Sequence, residues 1–381
     1  MKMAGSVVSI AIDALGIDRP GGARTATLYL LAKAVQLKPS WQFIIFVSKN
    51  EPLLEQNNVQ QIVLPIRKGI LARSIFQIYL PIFLIFHKVD LVHFTKSQAS
   101  LVPGVKCILT IFDMTTLLYP EQFSLFSVWY WRYIQKYMVS RVDAIVTISN
   151  DAAKDIIRIL GVDEQKVHTI PLASQFEDIK EVDINFINQV IETRKLPEEF
   201  LLYVGLLAKK KNLDTIVKAI RLLKDQGRVI PKLLLVGPLY LDSDASAIID
   251  TVHELGLDDE VLYFGEVERE ELKIIFEHTI CLLQPSVHEG FGLTALEALT
   301  LGVPVIASNA GSLPEIISDS GLLINNYTSP EAWADAIWLI SNDEDLKFKM
   351  INAGKKVARR FSWENSAQKL ILLYSKVLGK E

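Results

Sequence analysis

The chain has 381 residues, of which half are hydrophobic and 22% are charged. This is enough apolar material for two or three folded domains, and it excludes a disordered or collagen-like protein. The formal net charge of −4 argues against a nucleic-acid-binding protein that depends on bulk positive charge.

Short β-branched runs alternate with longer amphipathic stretches along almost the whole chain. The strands predicted in the first half are Val7–Ile12, Phe43–Val47, Leu91–Phe94, Cys107–Ile111 and Ala144–Ile148. Those predicted in the second half are Leu201–Val204, Lys232–Val236, Val261–Phe264, Ile280–Leu283 and Pro304–Ala307. Continuous apolar strands separated by helical patterns are typical of parallel sheets with helices on both faces. The predicted fold class is therefore α/β.

The stretch Phe176–Glu199 interrupts this alternation, because it is acidic and mixed in character. We predict a linker here between two α/β domains of similar size. The predicted boundaries are residues 1–178, residues 190–360, and a C-terminal helical segment, residues 361–381. The two cysteines, Cys107 and Cys281, lie far apart in apolar stretches, which predicts no disulfide and a reducing compartment.

Two features bear on targeting. The apolar run at the N-terminus faintly resembles a signal peptide, but Asp13 cuts it short, so a buried first strand is the better interpretation. The longest apolar run, Ile75–Phe86, is interrupted by Gln77 and Pro81 and is shorter than the ~20 residues of a membrane-spanning helix. We expect a cytoplasmic protein without a transmembrane segment.

The aromatic and basic stretch Trp129–Tyr137 allows two interpretations. With Arg67, Lys68, Arg73 and the run Ile75–Phe86, it could rest on anionic lipid, which would make the protein peripheral at the membrane. Alternatively, the stretch packs as a buried helix, which is the more common use of such residues.

The segment His288–Pro304 carries the most distinctive pattern in the sequence. A predicted strand leads into a loop containing Gly290 and Gly292, and a helix then begins near Leu293 and stops at Gly302. Free backbone N–H groups at the start of such a helix suit a phosphate.

Two glutamates occur in this segment. Glu289 lies in the loop and Glu297 lies in the first turns of the helix, so both can face one pocket. Carboxylates can accept hydrogen bonds from paired hydroxyls of a ribose or a hexose. The alternative is that Glu297 is a solvated surface residue and that the glycines only shape a turn.

Three lysines, Lys209, Lys210 and Lys211, follow the predicted strand Leu201–Val204. Their charges repel one another unless an anion or solvent screens them. A bound phosphate or diphosphate is such an anion, so the lysines could form an anion-binding site. An exposed lysine cluster is the alternative.

Candidate positions in the first half are weaker. Gly21 and Gly22 lie between the first strand and a helix, where glycine lets the backbone approach a ligand or simply makes a tight turn. Asp113 ends a buried strand and is either functional or a cap for the next segment.

We expect no metal site. Asp242-Ser243-Asp244 looks like a metal-binding DxD motif, but it precedes a helical stretch, so helix capping explains it. The six histidines show no ligand spacing, and no other cofactor is expected.

The segment Glu289–Glu297 resembles the E-x7-E signature of retaining glycosyltransferases of family 4, which have the GT-B fold. Further matching pieces occur in order along almost the whole chain. They are Gly21–Arg24, Thr110–Asp113, Tyr203–Gly205, Lys211-Asn212, Val236–Pro238, Phe264–Val267, Ser308–Glu315 and Phe361–Trp363.

The resemblance implies two Rossmann-like, doubly wound domains that face an interdomain cleft. Residues 1–178 would form the acceptor side, residues 190–360 would bind a nucleotide sugar, and the helix in residues 361–381 would return to the first domain. The implied reaction moves a sugar, with mannose and glucose as candidates, from a nucleotide diphosphate sugar to a hydroxyl of a glycan or lipid-linked glycan. The configuration at the sugar would be retained, and the product would belong to polysaccharide, lipopolysaccharide or glycolipid assembly.

The resemblance also assigns roles to residues. The predicted catalytic residues are Glu289, Lys211 and Asp113. The predicted substrate-binding residues are Gly21, Gly22, Lys210, Lys211, Glu289, Gly290, Phe291, Gly292, Leu293, Thr294 and Glu297.

Two positions depart from the family pattern. Lys210 stands where arginine is frequent, and Phe112 stands where a histidine usually touches the transferred sugar. Phenylalanine cannot make that hydrogen bond, so a nucleotide-sugar-binding protein without catalysis stays open. A GT-B epimerase, which needs no acceptor, is a further alternative.

Overall fold

The structure is a computed structural model that describes residues 7–15, 21–64, 70–100, 102, 104–178, 181–238 and 243–380, without the side chains of residues 70–75 and 243–246. The chain divides into two compact units. Unit 1 comprises residues 1–173 and 362–381, and unit 2 comprises residues 174–361.

Unit 1 contains a seven-stranded sheet in which all the described strand pairs are parallel. The strands are β1 (Ser9–Asp13), β2 (Gln42–Val47), β3 (Val59–Val63), β4 (Leu91–Phe94), β5 (Lys106–Thr110), β6 (Ala144–Thr147) and β7 (Val167–Thr169). Their order in the sheet is β3-β2-β1-β4-β5-β6-β7, so the direction of winding reverses at β1.

Helices cover this sheet and bury its central strands. They are α1 (Gly22–Leu37), α2 (Ile70–Phe86), α3 (Thr115–Leu118), α4 (Leu125–Trp129), α5 (Lys136–Arg141) and α6 (Asn150–Leu160). A π-helical segment, Tyr130–Gln135, joins α4 to α5. Among the helices that the structure describes, none combines the length and apolarity needed to cross a bilayer.

Unit 2 contains a six-stranded sheet with the same parallel arrangement. Its strands are β8 (Phe200–Val204), β9 (Lys232–Val236), β10 (Val261–Gly265), β11 (Cys281–Gln284), β12 (Val305–Ser308) and β13 (Leu322–Ile324). Their order is β10-β9-β8-β11-β12-β13, with the reversal at β8. The helices are α7 (Ile184–Arg194), α8 (Leu213–Asp225), α9 (Ser243–Glu254), α10 (Arg269–His278), α11 (Leu293–Leu301), α12 (Leu313–Ile317), α13 (Pro330–Asn342) and α14 (Glu344–Ala358).

The C-terminal helix, α15 (Trp363–Val377), belongs to unit 1 and packs against α1. Its first residue, Trp363, stacks on Tyr29 with ring centroids 5.6 Å apart. Near its end, the Tyr374 hydroxyl lies 2.6 Å from Nδ1 of His93, which is buried in β4. The helix is therefore fastened to unit 1 at both ends.

The structure confirms the predicted α/β fold with two doubly wound sheets, and the ten predicted strands are present with ends shifted by at most two residues. Three further strands, β3, β7 and β13, were not predicted; they are edge strands of mixed or intermediate burial. Part of the predicted linker is helical, because α7 lies within it, and Arg194 of α7 pairs with Glu271 at 2.8 Å.

Candidate functional site

The candidate site lies in unit 2 at the carboxyl edge of its sheet. β8, β11 and β12 are neighbours there, and the segments that follow them are residues 205–212, 285–292 and 309–312. Because parallel strands all end at the same edge, these three segments lie side by side. They contain most of the residues predicted to bind substrate.

The lysines after β8 form a 3₁₀ turn, Lys209–Lys211, that leads into α8. The turn ends at Asn212, whose φ of 54° is a left-handed conformation that asparagine tolerates better than most residues. The Asn212 amide donates to the Tyr327 carbonyl at 2.8 Å, and its oxygen accepts from the Thr215 hydroxyl at 2.7 Å. These two bonds hold the end of the lysine turn in place.

Hydrogen bonds to backbone carbonyls join the loop after β11 to both neighbouring segments. The Val287 N–H donates to the Lys210 carbonyl at 3.1 Å. On the other side, the Ser312 hydroxyl donates to the Glu289 carbonyl at 2.9 Å. Gly311 has a φ of +56°, and a Cβ there would lie 2.6 Å from the Glu289 carbonyl oxygen, so the close approach of the two segments requires glycine.

The side chain of Glu289 is the centre of the site. Its Oε1 accepts three hydrogen bonds, from Lys211 Nζ at 2.5 Å, Ser286 Oγ at 2.6 Å and Gln284 Nε2 at 2.7 Å. In the described part of the chain, no side chain hydrogen-bonds to the other oxygen, Oε2. One oxygen thus fixes the carboxylate, and the other can accept a hydrogen bond from a ligand.

Glu289 is held in its ionised form. Its side chain is 15% exposed, and that of Lys211 is 16% exposed. Burial raises the pKa of Glu289, but the charge and hydrogen bond of Lys211, with smaller contributions from Ser286 and Lys210, lower it below its ordinary value. The lysine turn and the loop after β11 are therefore joined by an ion pair that is largely shielded from solvent.

Glu297 has a different environment. It lies on the buried face of α11, and its Oε1 accepts from Gln175 Nε2 at 2.9 Å. Burial raises the pKa of Glu297 to about 8, although the Gln175 hydrogen bond and the Arg269 charge oppose this. The two predicted glutamates thus lie in separate hydrogen-bond networks and carry pKa values shifted in opposite directions.

Gln175 and Arg269 form the support around Glu297. The Arg269 guanidinium donates to the Gln175 carbonyl and lies 6.0 Å from the ring centroid of Phe176. Gln175 is thus held at its backbone by one side chain of the network, while its own side chain contacts the carboxylate.

The N-terminus of α11 has no side-chain cap, and Gly292 precedes it with a φ of 92°. A Cβ on Gly292 would lie 2.8 Å from a methyl carbon of Leu313. Phe291 is buried and packs edge-on against Phe361, whereas Leu293 and Thr294 are partly exposed, as is Gly290. The first turn of the helix therefore offers backbone N–H groups that an anion can use.

Gly21, Gly22 and Asp113 belong to unit 1. Gly21 caps α1 with a φ of 130°, and its carbonyl accepts from the Arg24 N–H at 3.0 Å. Arg24 also makes a bidentate pair with the buried Glu51, with both distances 2.7 Å. Asp113 Oδ1 accepts from the Thr115 N–H at 2.9 Å, as expected of a residue that caps the following segment.

Phe112 lines a small cavity of about 20 Å³ in unit 1. His93 lines the same cavity, and its Nε2 lies 2.8 Å from the Thr110 hydroxyl. Burial lowers the pKa of His93 to about 3, so its ring is neutral. This histidine was not predicted as a site residue, because it stands alone among apolar residues in the sequence of β4.

The partners of the two glutamates were also not predicted from the sequence. Gln284 and Ser286 could have been found from the sequence, since they are polar residues at the end of a buried apolar strand. Gln175 and Arg269 could not, because they are remote from Glu297 in sequence. Asp242, Arg67, Lys68 and the first six residues lie outside the described residues.

Comparison with known proteins gives two family matches. Residues 20–173 match the model described as Glycosyltransferase Family 4, and residues 186–357 match the model described as Glycosyl transferases group 1.

Two curated relatives are moderately similar. A D-inositol 3-phosphate glycosyltransferase of Xylanimonas cellulosilytica is 26% identical over 248 residues, which are 63% of this chain and 58% of the relative. An O-antigen chain mannosyltransferase B of Escherichia coli is 28% identical over 246 residues, which are 64% of each chain. The chain thus spans about three fifths of the length of these relatives.

The crystal structure of Anabaena HepE in complex with UDP-glucose has a TM-score of 0.78 and is 16% identical. The match covers 97% of this chain and 99% of that structure. At 16% identity, this similarity shows that the two proteins share a fold.

Proposed function

The chain belongs to glycosyltransferase family 4 and has the GT-B fold, and on this premise we propose that it is a retaining glycosyltransferase. It moves mannose or glucose from a nucleotide diphosphate sugar to a hydroxyl of a glycan or lipid-linked glycan. The mannosyltransferase from E. coli and the UDP-glucose complex from Anabaena support these two sugars. The product belongs to polysaccharide, lipopolysaccharide or glycolipid assembly.

The observation that carries the proposal is the arrangement around Glu289. Three donors hold Oε1, and the ionised carboxylate can present Oε2 to a sugar hydroxyl without reorienting. A group fixed before the substrate arrives pays little reorganisation cost during the reaction. Glu289 is therefore assigned to hold the transferred sugar near the reacting carbon.

Lys210, Lys211 and the N-terminus of α11 are assigned to the diphosphate. Lys211 already contacts Glu289, so it can lie between the carboxylate and the leaving group. Charge accumulates on the diphosphate as the bond to the sugar breaks, and fixed cations stabilise that state more than the ground state. We propose that these groups, rather than a metal ion, neutralise it. The departing phosphate oxygen takes the proton of the acceptor hydroxyl.

Glu297 is assigned to the ribose. With a pKa of about 8, it is largely protonated at neutral pH when no ligand is bound. An ionised carboxylate accepts from two ribose hydroxyls, so donor binding is expected to release this proton and displace Gln175. Gly21, Gly22 and Asp113 of unit 1 are assigned to the acceptor side.

Calorimetric titration with GDP-mannose, UDP-glucose and UDP-N-acetylglucosamine tests the proposal. We expect the chain to bind one of them, Glu289→Gln to bind it more weakly, and Glu254→Gln, which alters an exposed glutamate in the same unit, to bind it normally. Absence of binding by all three compounds, or equal affinity of the first variant and the wild type, would contradict the assignment.

A nucleotide-sugar-binding protein without catalysis is the second candidate, and Phe112 favours it. Phe112 contributes an apolar ring where the family pattern has histidine, and it lines a mostly apolar cavity. This candidate predicts donor binding without turnover, and activity gained by Phe112→His would support it. Product analysis with nucleotide sugar alone separates both candidates from an epimerase, which would isomerise the donor.

A further inference from the structure

Unit 1 exposes a row of aromatic side chains along α4, the π-helical segment and α5. Phe126, Trp129, Tyr133 and Tyr137 are 53%, 49%, 58% and 50% exposed, and Leu125 beside them is 89% exposed. Three of the rings form a continuous row, because the ring centroids of Phe126 and Trp129 are 6.0 Å apart and those of Trp129 and Tyr133 are 6.1 Å apart. We call these five residues the aromatic stripe.

A second apolar surface lies on the neighbouring helix α2. Ile78, Ile82, Ile85 and Phe86 are 66%, 50%, 77% and 78% exposed. Their spacing of four, three and one residues places them on one face of the helix. The Gln77 amide of α2 donates to the hydroxyl of Tyr130 at 3.3 Å, so α2 lies beside the π-helical segment.

The two segments that carry these surfaces contain basic but no acidic side chains. Residues 123–142 contain Arg132, Lys136 and Arg141 but no aspartate or glutamate, and residues 70–88 also lack acidic side chains. Arg132 and Lys136 are exposed next to the aromatic stripe. Large exposed apolar patches on monomers usually mark an interaction site.

A cavity of about 610 Å³ opens beside the aromatic stripe. Its charged lining residues are Arg132, Lys136, Asp163 and Lys166. Lys166 Nζ already donates to the Val142 carbonyl at 3.1 Å. Asp163 Oδ1 already accepts from the Gln165 N–H at 2.9 Å. Three cations against one carboxylate make the cavity suitable for a phosphate group.

We propose that unit 1 docks on an anionic phospholipid bilayer through the aromatic stripe and the exposed face of α2, and that the cavity receives a lipid headgroup phosphate. Tryptophan and tyrosine favour the boundary between headgroups and acyl chains, and basic side chains are attracted to anionic lipid. A second copy of the chain fits this surface less well, because like charges would meet across the contact. The proposal goes beyond the glycosyl transfer and does not rest on it.

The test is sedimentation of the full chain with phosphatidylcholine vesicles, with and without phosphatidylglycerol. We expect binding only when the anionic lipid is present, and weaker binding as salt is raised. Each basic residue near an anionic surface contributes about 1 kcal/mol, so the double variant Arg132→Glu with Lys136→Glu should weaken binding about thirtyfold or more. Trp129→Ala with Tyr133→Ala should also weaken it, through lost burial of the rings.

Two controls match these variants. Lys369→Glu reverses an exposed charge elsewhere on unit 1, and Phe348→Ala removes an aromatic ring that is 67% exposed in unit 2. Both should bind vesicles like the wild type. Lys166→Gln leaves the aromatic stripe intact and should reduce the preference for anionic over neutral lipid, which tests the cavity separately.

Three results would overturn the proposal. They are failure to bind anionic vesicles, unchanged binding by both double variants, and sedimentation equilibrium that shows a dimer abolished by Trp129→Ala with Tyr133→Ala. Nucleotide-sugar affinity measured on the same variants should equal that of the wild type. Failure of the membrane proposal is therefore distinguishable from failure of the proposed function.

Discussion

Replacing Lys211 by methionine tests whether the loops after β8 and β11 are joined through their side chains. Methionine keeps a similar unbranched apolar chain and removes the ammonium group. The variant loses the hydrogen bond of 2.5 Å to Glu289 Oε1 and retains those from Ser286 and Gln284. It therefore leaves a buried carboxylate with two neutral donors.

The expected cost follows from this geometry. Removing one partner of a buried ion pair costs ~3–5 kcal/mol when the remaining charge is left unpaired, and a hydrogen bond to a charged group is worth ~1.5–3 kcal/mol. Two donors remain on Glu289, and the side chains of Lys211 and Glu289 are 16% and 15% exposed. We therefore expect a cost within the lower of these two ranges, ~1.5–3 kcal/mol. A loss of about 2 kcal/mol corresponds to ~4–8 °C in the melting temperature of a unit of this size.

The loss of stability in the Lys211→Met variant should depend on pH. Lys211 lowers the pKa of Glu289, and a carboxyl whose pKa is lowered on folding stabilises the protein above its unfolded pKa and loses that contribution as the pH falls. Without Lys211 the pKa of Glu289 rises. The difference between wild type and variant should therefore be largest near neutral pH and should shrink as Glu289 becomes protonated.

Differential scanning calorimetry provides the measurement, and Lys218→Met provides the matched control. Lys218 pairs with Asp214 on the surface of α8, where the side chains are 51% and 45% exposed. Such an exposed pair contributes only ~0.3–0.5 kcal/mol. Equal melting temperatures for the two variants at neutral pH would refute the reasoning, since burial would then make no difference.

Three further predictions concern single residues. The pKa of Glu297 in the folded protein is about 8, above its ordinary value of 4.5. Between these two pH values the native state binds a proton that the unfolded state has released, so stability should fall as the pH rises towards 8. Glu297→Gln should flatten this decline in melting temperature against pH, and an unchanged slope would contradict the shift. Ser286→Ala removes one donor from Glu289 and should weaken donor binding about five- to tenfold in calorimetry; wild-type affinity would count against a role in positioning. Tyr374→Phe leaves Nδ1 of the buried His93 without its partner and should cost unit 1 ~1–3 kcal/mol by denaturant unfolding, whereas an unaltered midpoint would show that water replaces the hydroxyl.

Much of the fold follows from patterns that are local in sequence. Central strands of a parallel sheet are buried on both faces, so β4, β6 and β11 are mostly apolar, with a single polar residue in each. The edge strands β3 and β7 lack that pattern because they are covered less completely. The helix α7 was also missed, since only Val190 in it is fully buried and its sequence resembles a polar connection.

The candidate site was likewise predicted only in part from the sequence. Sequence alone indicated that Glu289 and Lys211 belong to loops at the carboxyl edge of one sheet, because strand ends and glycines mark those loops. It did not indicate that one oxygen of Glu289 would collect three donors, nor that Gln175 would bond Glu297 across 122 residues of chain. Such pairings depend on which strands are neighbours in the sheet. Hydrogen bonds and desolvation act only over a few ångströms, so they arise only between groups that folding brings together. The opposite pKa shifts of the two glutamates were therefore decided by the tertiary structure.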